Sequence, residues 1–355
     1  MNMVQNKILT LIIPTYNMEK FLRKCLDSLI VSDENMQRLE VLVVNDGSKD
    51  SSSAIAHEYQ EKYPQTYRVI DKENGNYGSC INRGLKEVKG KYVKVLDADD
   101  YFEKTEFNSF IVFLSSVDVD MVISNYCMVD IEGKIKESYS FPFVSSRNIL
   151  IDEMPESAIN RLWHHGVAYK TDILREMNYR QTEGISYTDD EWIFKPMIFV
   201  KSIRYFPHNL YLYLRGREGQ TFDPKVKERE FKSRLIVAKS LSDFLEEWHC
   251  KISDNNLRYL QVKFVSRIRN IYSYYILQTN LTSDMEVLRN YDLYLKNSSR
   301  YVYTLTDEIH NKFGFYYIRK WRQSNYNERC FSISFHRGLY RFIKLIAGGI
   351  LDSGI

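Results

Sequence analysis

The sequence has no C-x-x-C pair. Its five cysteines, Cys25, Cys80, Cys127, Cys250 and Cys330, are scattered and odd in number. This argues against a zinc site or a disulfide framework and for a reducing compartment. No apolar run reaches the length of a membrane span, and the run from Ile8 is stopped by Pro14, too early for a signal peptide core. Cytoplasmic residence is the expectation, with attachment to the inner face of the cell membrane left open. Charge of one sign is also missing. The net charge is +3, no basic stripe interleaves with aromatics, and a nucleic-acid partner is not expected. No G-x-G-x-x-G follows a strand, which disfavours a dinucleotide-dependent dehydrogenase. Repeats and low-complexity tracts are absent.

What is present is a chain of 355 residues with a 44% hydrophobic fraction, enough for one large domain with an extension. Tyrosine is abundant, with 27 copies against 7 prolines, but tyrosine serves cores as readily as sugar clefts. The first third alternates strand and helix. Strands are read at 8–13, 41–44, 67–70 and 92–96, and helices at 19–30, 51–63 and 79–89. This order gives a parallel sheet with helices on both faces, whose ligands sit beyond the carboxyl ends of the strands. Asp46 and Asp97 fall at that edge.

Further along, a strand is expected at 121–124 and a hairpin at 129–140 turning on Gly133. A helix is expected over 188–200, capped by Thr188, and strands at 203–206 and 210–214. Long amphipathic helices are read at 231–248 and 257–277. The domain division is placed near Asp223-Pro224, giving an α/β domain over 1–222 and a mostly helical region over 223–355.

Asp97-Ala98-Asp99-Asp100 is the strongest chemical feature. Carboxylates crowded at a strand end repel one another unless a cation or hydrogen bonds compensate. Mg²⁺ or Mn²⁺ commonly joins such carboxylates to substrate phosphates. An acidic turn capping the next helix is the plain alternative. Asn45-Asp46-Gly47-Ser48 follows an apolar strand, so Asp46 is placed to accept from the imide N–H of a base. An ordinary turn is the other reading. Pro14-Thr15-Tyr16-Asn17 closes the first strand, either lining a nucleotide pocket or capping a helix at Asn17.

Four motifs stand in order: Ile12 to Asn17, Val43 to Ser51, Asn74 to Leu85, and Leu96 to Asp100. Together they resemble the family 2 glycosyltransferases, which are inverting enzymes with the GT-A fold, over roughly the first hundred residues and more loosely to about Thr221. The resemblance implies that Pro14, Thr15 and Tyr16 lie against the nucleotide and that Asp46 holds its base. Gly75, Gly78 and Arg83 would sit near the sugar-phosphate part, Asp97 at the ribose or metal, and Asp99 as main ligand of Mn²⁺ or Mg²⁺. Asn76-Tyr77 departs from the small residues usual there. The general base aligns with Asp189, or next with Asp190, against the alternative of an ordinary acidic helix start. His164-His165 fall near the donor site, and Arg215 to Gln220 resemble a loop over the diphosphate or acceptor.

The expected donor is a nucleotide-sugar, UDP by resemblance, and the acceptor a glycan or lipid-linked glycan, as in capsule, exopolysaccharide or teichoic-acid-type pathways. Rival readings are a nucleotidyltransferase on a related fold and a non-catalytic partner subunit of a glycan-assembly complex. At the C-terminal end, Phe335, Leu339, Phe342, Ile343 and Ile346 share one helical face. Arg337, Arg341 and Lys344 fall mainly on the other side. The pattern suits peripheral membrane contact as well as a packed terminal helix.

Overall fold

The computed structural model describes residues 7–143, 146–217, 231–278, 282–327 and 330–346. The chain divides into two compact units, Met1–Glu230 and Phe231–Ile355. The expected boundary at 222/223 lies outside the described residues, as do Glu218, Gly219, Gln220 and Thr221.

The first unit begins β1 (Leu9–Thr15), α1 (Leu22–Asp27), α2 (Asp33–Arg38), β2 (Leu39–Asn45), α3 (Ser52–Lys62), β3 (Tyr67–Asp71), α4 (Asn76–Leu85) and β4 (Tyr92–Val95). It continues through β5 (Tyr101–Phe102), α5 (Lys104–Ser116), β6 (Met121–Val129), β7 (Ile135–Tyr139), β8 (Ile149–Leu150) and α6 (Glu156–Arg161). β9 (Val167–Lys170), α7 (Thr171–Glu176), α8 (Asp189–Trp192) and β10 (Ser202–Leu214) complete the described part.

Among the described residues one sheet runs β3-β2-β1-β4-β9-β6-β10-β5, with β7 on β6 and β8 on β10. From β3 to β4 it is parallel. Leu11, Ile12, Ile13 and Val41 to Val44 are fully buried, as expected of strands covered on both faces. β9 then enters antiparallel between β4 and β6, while β10 runs parallel to β6. This insertion brings the turn before β9 beside the end of β4.

Several local expectations change. The first helix is shorter than read. Asn17 does not cap it but takes a positive φ of 54°, and its side chain accepts from the Lys49 N–H. α4 starts at Asn76, three residues earlier than read, so Gly78 lies in its first turn. The helix expected over 188–200 breaks after Trp192 and resumes as a 3₁₀ turn, Lys195–Ile198. Pro196 explains the break, since it has no N–H to continue an α-helical ladder. Thr188 does not cap α8; its hydroxyl accepts from Gln181 Nε2. The strands expected at 203–206 and 210–214 are one strand, β10, with register shifts between Phe206 and Tyr211 that absorb Pro207 and His208. The hairpin turning on Gly133, with φ of 81°, forms between β6 and β7.

The second unit is helical: α9 (Phe231–Trp248), α10 (Asp254–Ser273), α11 (Thr282–Ser298), α12 (Arg300–Asp307), α13 (Tyr317–Gln323) and α14 (Phe331–Ile346). Leu241, Leu245, Phe264, Ile268, Leu288 and Trp321 lie in its core. A polar hub crosses that core. Arg322 Nη2 lies 2.6 Å from Asp292 Oδ1, and Tyr272 donates to the same carboxylate. On α14, Ile333 is buried and Phe335 is exposed. The His336 ring stacks on Phe315, and Arg337 donates to the Ile276 carbonyl. No helix among the described residues is long and apolar enough to cross a membrane.

Candidate active site

The site begins where β4 ends. Asp97 Oδ1 accepts from the Tyr77 hydroxyl at 3.0 Å, and its Oδ2 lies 3.1 Å from His164 Nε2. The opposite nitrogen of that ring, Nδ1, lies 3.7 Å from Asp189 Oδ2. Thus one buried imidazole stands between two carboxylates that are 92 residues apart in the sequence, at positions 97 and 189. Burial opposes ionisation of Asp97, but His164 and then Tyr77 outweigh it and hold the carboxyl below its usual range. For His164, burial lowers the pKa while Asp97 and Asp189 raise it, and the net direction is upward.

Asp99 and Asp100 are held separately. Asp99 Oδ2 lies 2.5 Å from Arg217 Nε. Burial nonetheless leaves its pKa raised, with Arg217 opposing and Asp97 adding to the rise. Asp100 accepts from the Tyr211 hydroxyl at 2.6 Å and the Leu214 N–H at 2.7 Å, both on β10. Burial and the neighbouring charges of Asp99 and Asp97 push it well up. Each member of the acidic run is therefore held from a different direction.

Lys94, fully buried on β4, fixes the other side. Its ammonium donates to the carbonyls of His165 and Val167. That bond pins the turn that presents His164. Burial lowers its pKa to about 7. The segment carrying Asp189 is laced to α4 instead. Asn82 Nδ2 donates to the Gln181 carbonyl, Asn82 Oδ1 accepts from Gln181 N–H, and Gly184 N–H donates to the Gly75 carbonyl. A Cβ on Gly78 would stand 2.0 Å from the Thr182 carbonyl oxygen, so this approach requires glycine. Glu191, with no exposed surface, accepts from Thr182 and pairs with Lys195. Tyr187, two residues before Asp189, holds a positive φ of 65°, a strained conformation of the kind that collects at functional sites.

At the β2 end, Asp46 is nearly buried. Its Oδ1 lies 2.5 Å from Lys72 Nζ and accepts from Gly75 N–H at 3.0 Å. Asp46 N–H donates to the Thr15 carbonyl, tying this corner to β1.

A profile described as "Glycosyl transferase family 2" matches residues 10–177. The first unit of the chain matches that family over most of its length. Among curated relatives, the uncharacterized glycosyltransferase YibD of Escherichia coli (strain K12) is 30% identical over 212 residues, 58% of this chain and 60% of its own. The minor teichoic acid biosynthesis protein GgaB of Bacillus subtilis (strain 168) is 26% identical over 248 residues, 68% of this chain and 27% of its own. The chain thus spans less than two thirds of the length of these relatives. The crystal structure of S. aureus TarS 1-349 in complex with UDP-GlcNAc matches with a TM-score of 0.69 and 17% identity, over 96% of this chain and 92% of that one. This likeness places the chain in the GT-A fold, with the helical region included.

Of the residues that the family 2 resemblance assigns, Asp97 and Asp189 meet through His164, and Asp46 meets Gly75. Thr15 is buried beneath Asp46, Pro14 is partly buried, and Tyr16 is exposed. Asp190 is more buried than Asp189. Arg83 is not drawn to this cluster by any described contact; it pairs with Glu87 one turn on, and Glu87 with Arg68. Tyr77, the departure from the family pattern, reaches Asp97 directly. Sequence reasoning missed Lys94 and Tyr211. A lysine inside the apolar run Tyr92 to Leu96 was the available sign for the first.

Proposed function

We propose that this family 2 chain is an inverting glycosyltransferase that moves a sugar from a nucleotide-diphosphate donor, a UDP-sugar, to a hydroxyl of a glycan or lipid-linked glycan. The observation that carries the reading is the meeting of Asp97 and Asp189 on one imidazole. It sets the assigned donor-side carboxylate beside a second, partly exposed carboxylate that can serve the acceptor. The UDP-GlcNAc in TarS, a protein of the same fold, supports the choice of nucleotide. The role of GgaB in teichoic acid biosynthesis supports a surface-glycan acceptor.

In this reading Asp46, with Gly75 at its side, receives the base, and Pro14, Thr15 and Tyr16 line the nucleotide. Gly78 keeps α4 close to the segment that carries Asp189. Asp189 takes the proton of the acceptor hydroxyl as its oxygen bonds to the anomeric carbon. The bond from that carbon to the diphosphate oxygen breaks, and its electron pair leaves with the diphosphate. Attack opposite the departing group inverts the anomeric centre.

Asp97 and Asp99 suit Mn²⁺ or Mg²⁺. Both offer carboxylate oxygen, and burial first, with the neighbouring carboxylates adding to it, raises the pKa of Asp99 and Asp100, while Arg217 offsets only part of the rise on Asp99. When bound there, the ion supplies neutralisation of the departing diphosphate. Contact with a membrane surface is assigned to α14, where Phe335 stands exposed.

The test is a panel of nucleotide-sugars with Mn²⁺, scored for nucleoside diphosphate release and for anomeric configuration of the product. Release of pyrophosphate instead would make the chain a nucleotidyltransferase. Retention of configuration would remove the base from the mechanism.

A further inference from the structure

His164 and His165 are consecutive, buried and side by side. They are 5% and 7% exposed, and their ring centroids lie 3.9 Å apart. His164 Nε2 already lies 3.1 Å from Asp97 Oδ2. One ligating atom from each of Asp97, His164 and His165 falls within 4.8 Å of the other two.

His165 is the unexplained member. Its ring stacks on Tyr213 at 4.5 Å and tilts against Tyr126 at 5.4 Å, an environment that phenylalanine would fill at no polar cost. Yet neither of its ring nitrogens has a hydrogen-bond partner among the described residues. A buried polar atom left unpaired costs about 1–3 kcal/mol. A histidine kept in such a place calls for a ligand that one nitrogen can hold.

The donor set identifies that ligand. Imidazole suits borderline ions such as Zn²⁺ and Co²⁺, whereas Mg²⁺ takes oxygen. Zinc–nitrogen and zinc–carboxylate bonds of about 2.0–2.2 Å span a tetrahedral edge of roughly 3.3–3.6 Å. The separation of Asp97 Oδ2 from His164 Nε2 is close to that edge.

We propose that Asp97, His164 and His165 form a binding site for a borderline divalent ion, Zn²⁺ or Co²⁺, with water completing the shell. The ion takes the place of the proton shared by Asp97 and His164, which passes to solvent. Because Asp97 also belongs to the oxygen pair with Asp99, the two ions exclude each other. That exclusion rests on the reading of Asp97 and Asp99 in the proposed function; the histidine site itself does not.

The first experiment is X-ray absorption at the zinc edge on the full chain loaded with one equivalent of Zn²⁺. Scattering from two imidazole rings is expected, and an all-oxygen shell overturns the site. It needs no variant to fold. Cobalt titration followed by visible absorption is the second. His165→Phe, which keeps the aromatic stack, should weaken Co²⁺ about tenfold or more, and Asp99→Asn should leave the midpoint unchanged. An unchanged midpoint in His165→Phe, or an equal loss in Asp99→Asn, overturns the assignment. Mn²⁺ binding read by paramagnetic resonance separates the two ideas. Loss of Mn²⁺ on Zn²⁺ addition supports exclusion, and simultaneous binding overturns it. Mn²⁺ binding that survives in Asp99→Asn overturns the Asp97–Asp99 reading, and the exclusion with it, and leaves the histidine site standing.

Discussion

Asp97 and His164 are joined by a 3.1 Å contact between Oδ2 and Nε2, although 67 residues separate them in the chain. Asp97 thereby lies under control of three elements. β4 presents it, α4 holds it through Tyr77, and the turn before β9 holds it through His164. Any reaction that uses this carboxylate depends on the packing of all three.

Asp189→Asn is expected to lower turnover by about 10²- to 10⁴-fold. Donor affinity should change little, because the group acts on the acceptor. Asp190→Asn should be the milder change in turnover. Steady-state kinetics with both variants and calorimetric titration with UDP check this. A severe Asp190 variant beside a mild Asp189 variant would move the base by one residue.

Removing the hard cation should stop the reaction without unfolding the chain. Transfer is expected to fall at least about a hundredfold on addition of EDTA and to return with Mn²⁺. Asp99→Ala should behave alike but without rescue. Circular dichroism should register an intact fold, since Asp99 is only partly buried and is held by the single described ion pair to Arg217. Full transfer in EDTA would sink the metal assignment.

Gly78→Ala forces a methyl onto the Thr182 carbonyl, 2.0 Å from the ideal Cβ position. Thermal or denaturant unfolding should report a loss of about 1–3 kcal/mol. Turnover should fall as well, because the displaced segment leads to Asp189. A variant with wild-type stability and turnover would show that this approach is not needed.

In the second unit, Arg322→Met strands the carboxylate of Asp292, which has no exposed surface. Loss of one partner of a buried pair costs about 3–5 kcal/mol. The Asp292→Leu/Arg322→Met double variant should recover much of that loss, since the fully buried charge is gone and Asp307, the other carboxylate on Arg322, is partly exposed to water. Urea unfolding of the two variants makes the comparison.

Phe335→Ser should reduce sedimentation of the chain with anionic liposomes while leaving the buried Ile333 in place. Equal sedimentation of variant and wild type would assign α14 to packing alone.

Periodicity and turn chemistry alone located much of this protein. The apolar runs around Ile12 and Val43 specify buried parallel strands, because such strands are covered on both faces. Strand-helix alternation then places Asp46 and Asp97 at one edge. The amphipathic stretch Phe231–Trp248 matches its helix end to end. These features are local, repeated every two to four residues, and need no partner from elsewhere.

Only the tertiary structure decided which side chains meet. Pro196 broke an expected helix, and the strained Tyr187 turned the chain before Asp189. β9 slipped antiparallel between β4 and β6, and so delivered His164 and His165 to Asp97. Arg217 reached Asp99 across 118 residues. Such contacts follow from the register and order of strands distant in sequence, where small packing differences select the pairing. No pattern within one segment encodes that choice.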